Sequence, residues 1–416
     1  MGQNRCRHLL LNVVKNGRCD KVKIRIEDKE FQERIFRTQK EMRKEGLDIL
    51  FAYGNEAEPQ YVRYYSDYWP SFESAGILIP LEGDPVLIIG PESETFASYV
   101  SRIKKIRKIL VFRESSEPEY PGAKLETFSS VIKEVSREKA VRRIGIAGGC
   151  LITHVIYEAL VSSLEEIGNP ELVKSDMLVA RLRAEKSSAE IACLREAYRI
   201  TQEAMKAVIE NVHVGMTENQ LKGIAMSVIY QEGGEGEAYP FWILTGKNSN
   251  QAISRCRNKV IESGDMIQIQ VGARYEGYAS TMGRTIVMGK ATEKQRGMIE
   301  AALAAQDAIL RTAKAGVNAS EISRVHYETL KNLGYDSCIL YGPCHGTGLM
   351  EGEYPWIEKN SDYLLDENMT FCTCIYLGDD VDEIGLRIED GFLVTADGTE
   401  SFSDYRREVI EIERQA

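Results

Sequence analysis

Three short stretches carry groups able to do chemistry: Cys344-His345 in PCHGTG, Cys372-Thr373-Cys374 in TFCTCIYL, and Arg387 with Glu389 in LRIED. On a strand, side chains alternate, so Cys372 and Cys374 share a face while Thr373 points away. Two thiols side by side suit a metal, yet free cysteine is also among the most buried residues and packs in cores. A thiol, an imidazole and a carboxylate at one point make either a mixed zinc ligand set or a thiolate nucleophile activated by histidine. Two glycine-rich stretches are weaker signals. GIAGG at 145–149 lacks the Lys-Ser/Thr or the spaced third glycine of a phosphate loop and reads as a tight turn, and EGGEGEAYP at 232–240 reads as a flexible loop able to act as a lid.

Those groups need a scaffold, and the chain is long enough for two lobes: 416 residues against roughly 150 per domain. With 43% hydrophobic and 28% charged residues the composition is globular. The net charge of −11 disfavours nucleic acid and anionic lipid as partners. No apolar run reaches membrane-helix length, Lys15 interrupts the one near the start, and nine scattered cysteines read as reduced thiols, so a cytoplasmic protein is expected.

The first 20 or so residues show no period and read as a tail or a first element. From there the spacing predicts a helix over 31–45 running into a strand at 47–54, a hairpin of AGILIP and PVLIIG, and strands at KILVF (108–112) and RRIGIA (142–147). Helices at about 124–138 and 153–167 complete an α/β lobe. Ser187 with Glu190, and Thr217 with Gln220, form capping boxes that open two helices of a second lobe. Strands at DMIQIQVGA and TIVMG, helices at about 292–315 and 320–333, and strands at MTFCTCIYL, LRIEDGFLV and ESFS follow.

This order, with GDMIQIQVGARYEGYASTMGRT, PCHGTG, EYP, FCTCIYLG and GLRIEDGFLVTADGTE, resembles the pita-bread family of methionine aminopeptidase, aminopeptidase P, prolidase and creatinase, on its prolidase/creatinase branch. The resemblance implies an α+β fold: a creatinase-type amino-terminal domain over 1–172 and a pita-bread domain over 173–416. It also implies a homodimer. Metal-dependent members hold two divalent ions with two Asp, one His and two Glu, and the motif lays these on Gln270, Thr281, His345, Cys374 and Glu389. Three of the five are not carboxylates, and the family's two accessory histidines fall on Ile253 and Gly352. The expectation is therefore a site without its di-metal centre and without a cofactor. One Zn at His345, Cys374 and Glu389 is the alternative.

On this reading His345, Glu353, Cys374 and Glu389 are candidate catalytic groups, and Tyr278, Arg387 and Trp242 candidate substrate-binding ones. Arg284 stands with Arg387 as a carboxylate binder, or Glu353 or Glu389 pairs with Arg387 as a buried ion pair. The favoured function is a metal-independent hydrolase or lyase cleaving a C–N or related bond of a small polar molecule. Two others stay open: a metal-dependent Xaa-Pro dipeptidase or aminopeptidase acting on short peptides, and a non-catalytic binding protein on a peptidase fold.

Overall fold

Alternation along one central strand organises the first lobe of this computed structural model, which describes residues 24–413. In β1 (Ile49–Gly54), Ile49, Phe51 and Tyr53 face one apolar core while Leu50 and Ala52 face another, as expected of a strand covered on both sides. β1 pairs antiparallel with β2 (Ala75–Pro80), which forms the expected hairpin with β3 (Val86–Ile89). Parallel pairs with β4 (Ile106–Lys108), β5 (Arg143–Ala147) and β6 (Glu171–Lys174) give the order β4-β3-β2-β1-β5-β6. The lobe's helices are α1 (Asp28–Glu45), α2 (Gln60–Ser66), α3 (Glu94–Val100), α4 (Phe128–Ser136), α5 (His154–Leu164) and α6 (Asp176–Ala184). The KILVF stretch differs from expectation. Its strand stops at Lys108 and Leu110–Phe112 turns as a short 3-10 helix, which sets the Phe112 ring 5.8 Å from Phe128.

The second lobe opens with α7 (Ser188–Asn211) and α8 (Glu218–Gln231), each started by its expected capping box. It continues with β7 (Gly236–Glu237), β8 (Ile243–Thr245), β9 (Met266–Val271), β10 (Ala273–Tyr275), β11 (Tyr278–Ala279) and β12 (Met282–Met288). After α9 (Glu293–Thr312) and α10 (Ala319–Asn332) come β13 (Cys344–Gly346), β14 (Glu353–Ile357), β15 (Thr370–Asp379), β16 (Ile384–Val394), β17 (Thr399–Ser401) and β18 (Ile410–Ile412). The large sheet runs β14-β13-β15-β16-β12-β9-β8. Phe371, Ile375, Leu377, Leu386, Ile388 and Phe392 of β15 and β16 pack with α9 and α10 in one core. The alternate residues of those strands therefore face the opposite side, where the site lies.

Two glycine-rich loops have fixed partners: the first differs from the expected flexible lid, and the second is the expected tight turn. The glycine-rich 232–240 segment is not a free lid, because β7 pairs with β10 and Glu235 binds Arg63 at 2.5 Å. The backbone N–H groups of Gly148 and Gly149 in GIAGG donate to Asp176 Oδ1, so a carboxylate of the chain itself fills that turn. The first 20 or so residues, and His8 among them, lie outside the described residues. No helix among the described residues is long and apolar enough to cross a membrane.

The lobes are joined by polar as well as apolar contacts. Arg34 of α1 donates to the Tyr278 hydroxyl at 2.9 Å and lies 3.3 Å from Glu190 of α7. Tyr278 in turn donates to Glu190 at 2.7 Å.

Candidate active site

Strand register assembles the site. Cys374 stands opposite Glu389 across β15 and β16, His345 opposite Cys372 across β13 and β15, and Gly283 opposite both Glu389 and Gln270. Gly283 permits the approach: a Cβ there would lie 2.8 Å from Gln270 Oε1 and from Glu389 Cβ. Gln270, Thr281, His345, Cys374 and Glu389 thus come together in the second lobe. Ligand atoms of His345, Cys374 and Glu389 all lie within 4.8 Å of one another, a group able to hold a metal ion.

Glu389 is fully buried and surrounded by donors. Gln270 Nε2 donates to its Oε2, while Thr281 Oγ1 at 3.2 Å and Cys372 Sγ at 3.0 Å donate to Oε1. Arg387 Nη1 lies 3.7 Å from Glu389 Oε2 and donates to Cys374 Sγ at 2.9 Å. Its Nη2 donates to the Ala252 carbonyl at 2.6 Å, and its guanidinium sits 5.5–5.7 Å from the ring centres of Trp242, Tyr341 and Tyr376. Burial, and then the charge of Glu351, hold the Glu389 carboxyl above the usual range despite Arg387.

His345 presents one nitrogen to this centre. Nδ1 lies 3.0 Å from the Gly346 carbonyl, which orients the ring and leaves Nε2 at 3.3 Å from Glu351 Oε1 and 3.9 Å from Glu389 Oε1. Burial opposes charge on His345, but Glu351 and Cys374 outweigh it and raise the imidazole well above its ordinary value. Burial likewise pushes Glu351 up, and His345, with Arg387 behind it, brings it below the usual carboxylate range.

Some expected residues lie elsewhere. Glu353 does not join the cluster, because Arg183 and Lys186 (3.1 Å) hold it in a buried ion cluster next to α6, which corrects the expectation of a free base or of a pair with Arg387. Tyr278 spends its hydroxyl on Arg34 and Glu190 at the joint between lobes, so it is no part of the pocket wall. Arg284 is tied to Asp390 at 3.0 Å. Trp242 does join the site, stacked near Arg387 with its indole N–H donating to Gln268. The reading of the residues missed Glu351 and Tyr341, whose hydroxyl lies 3.5 Å from Cys374 Sγ. A signal for Glu351 exists in its neighbour: Gly352 carries no side chain at the position of an accessory histidine, and the β13–β14 register shifts beside His345.

A sheet of this topology with an imidazole, a thiol and a carboxylate on its inner face defines a pita-bread protein with a candidate ligand cluster. Residues 192–396 match metallopeptidase family M24, and residues 34–184 match the creatinase/prolidase N-terminal domain. The Xaa-Pro dipeptidase of Pyrococcus furiosus is 28% identical over 91% of this chain and 100% of its own length. That of Pyrococcus horikoshii is 27% identical over 80% and 89%. The crystal structure of the prolidase from Pyrococcus horikoshii OT3 superposes with a TM-score of 0.77 at 25% identity, covering 91% of this chain and 100% of that one. The chain belongs to this prolidase/creatinase family, with a creatinase-type first domain and an M24 second domain.

These matches overturn two expectations. A metal-independent hydrolase of a small polar molecule, and a site with no cofactor, both conflict with a metallopeptidase family whose similar members are Xaa-Pro dipeptidases. The physical reason lies in the counting of ligands. Three of the five motif positions lack a carboxylate, yet the fold gathers an imidazole nitrogen, a sulfur and a carboxylate oxygen within ligand distance and sets a further carboxylate, Glu351, beside them.

Proposed function

We propose that the protein is a metal-dependent peptidase of the Xaa-Pro dipeptidase type, acting on short peptides. The observation that carries this reading is the convergence of His345, Cys374 and Glu389 in a chain that spans the whole length of such a dipeptidase. The donor set fits one ion. It does not fit a pair, because Gln270 and Thr281 are neutral, and the Gln270 amide nitrogen and the Thr281 hydroxyl are spent on Glu389. An ion bound there supplies a Lewis acid for the scissile carbonyl and a water of lowered pKa.

The chain's own residues have separable tasks. Cys374 and Glu389 supply negative charge, and His345 keeps Nε2 toward the centre through its Nδ1 contact with Gly346. Glu351, about 24% exposed at its side chain, is the site carboxylate open to an entering peptide, so it is placed to hold the proton passed to the leaving amine. Trp242, Tyr341 and Tyr376 form an aromatic wall on which a prolyl ring can pack, and they fix Arg387. Seven free cysteines among the described residues support a cytoplasmic setting, and the family resemblance supports a homodimer.

The test is release of free proline from Ala-Pro and Leu-Pro, with Leu-Gly as control, by protein loaded with zinc, manganese or cobalt. Hydrolysis that a chelator abolishes supports the proposal. Failure to cleave any dipeptide with any of these ions overturns it.

A further inference from the structure

We infer that the centre is built for a single thiophilic dication held by Cys374, His345 and Glu389, with Arg387 standing where a second ion's charge is otherwise needed. The inference rests on the metal-dependent, single-ion reading above and adds the kind of ion and the role of Arg387.

Charge balance carries it first. With His345 neutral, as a ligating imidazole must be, a Cys374 thiolate, Glu389 and Glu351 bring three negative charges, and Arg387 returns one positive. One dication neutralises the remainder, whereas a second would leave two uncompensated positive charges in a buried site. Arg387 cannot step aside easily, being held at once by the Ala252 carbonyl, Cys374 and three aromatic rings.

The ligand chemistry carries it second. Oxygen-seeking ions such as manganese and magnesium favour carboxylate beds, and here the positions that would supply them are an amide, a hydroxyl and a thiol. Sulfur with imidazole selects zinc or cobalt. The ring is already oriented as a ligand, with Nδ1 on a backbone carbonyl and Nε2 turned inward. Buried Gln270 Oε1 has no hydrogen-bond partner among the described residues and offers an acceptor to whatever the ion brings with it. Glu351, 3.3 Å from the same nitrogen, is within reach of the fourth place.

The test is independent of peptidase activity. Protein stripped by chelator is loaded with Co(II) or Zn(II), desalted, and analysed for metal and for near-ultraviolet absorption. The expected result is one ion per chain and, with Co(II), an intense thiolate-to-cobalt band. Cys374→Ser abolishes that band and weakens binding at least tenfold, while Cys372→Ser keeps it. Two ions per chain, no retained ion, one ion without the band, or a band surviving Cys374→Ser each overturn the inference. The wild-type spectrum alone decides the matter if Cys374→Ser does not fold. One sulfur-bound ion in a protein that cleaves no dipeptide upholds this inference and removes the peptidase proposal. Two ions in an active dipeptidase do the reverse.

Discussion

Replacing Arg387 with methionine keeps most of the side-chain length and removes the charge. In metal-free protein this strands Glu389, 3.7 Å away, with no cation but His345, and leaves the Ala252 carbonyl without its 2.6 Å donor. Removing one partner of a buried pair costs about 3–5 kcal/mol. The three ring contacts and the hydrogen bond overlap with that figure and account by themselves for about 2 kcal/mol. An ion at the centre restores positive charge but not those contacts. Arg387→Met is therefore expected to lose about 3–5 kcal/mol against wild type in chelator and only about 2 kcal/mol in saturating zinc. Urea unfolding followed by circular dichroism, with and without zinc, reads both numbers. An equal loss in the two conditions would refute the idea that Arg387 and the ion balance the same negative charge.

Burial lowers the His326 imidazole from its ordinary 6.5 to about 4, so the folded state binds this proton less readily than the unfolded chain. Its contribution is fully present above about pH 6.5 and is lost as the pH falls toward 4, on the order of 3 kcal/mol in all. His326→Leu should flatten that part of a stability–pH curve, and an unchanged slope would dismiss the assignment. Arg34→Met breaks the joint between lobes by leaving Glu190 and Tyr278 without their cation, at about 3–5 kcal/mol; a loss below about 1 kcal/mol in the same unfolding assay would show that the joint is not held this way. Glu351→Gln removes the main group that raises His345, so NMR titration of the metal-free variant should find the imidazole shifted downward, and an unmoved titration would exclude Glu351 as its partner.

What the amino-acid order reveals here follows the range of the interactions involved. Capping boxes at Ser187 and Thr217 span three residues and announced their helices directly. Period-two alternation in TFCTCIYL put Cys372 and Cys374 on one face, and in the structure that face, with Arg387 and Glu389 of the paired strand, lies away from the core with α9 and α10. Glu353 and Tyr278 show the limit. Their partners Arg183 and Arg34 are 170 and 244 residues away in sequence, and no local pattern reports such pairs. Glu351 was hidden for another reason: it lies in the connection between β13 and β14, outside both strands, so strand alternation does not predict its direction. The cofactor expectation failed because the neutral side chains at two ligand positions, which weaken a site for paired hard ions, outweighed the sulfur and imidazole that suit one softer ion, the zinc alternative.

X-ray absorption at the zinc edge of the loaded protein reads the centre most directly. A single sulfur scatterer at about 2.3 Å with nitrogen and oxygen neighbours, and no second metal near 3.5–4 Å, is the expected result. A shell of nitrogen and oxygen alone, or a metal–metal distance in that range, would contradict the single-ion site at His345, Cys374 and Glu389.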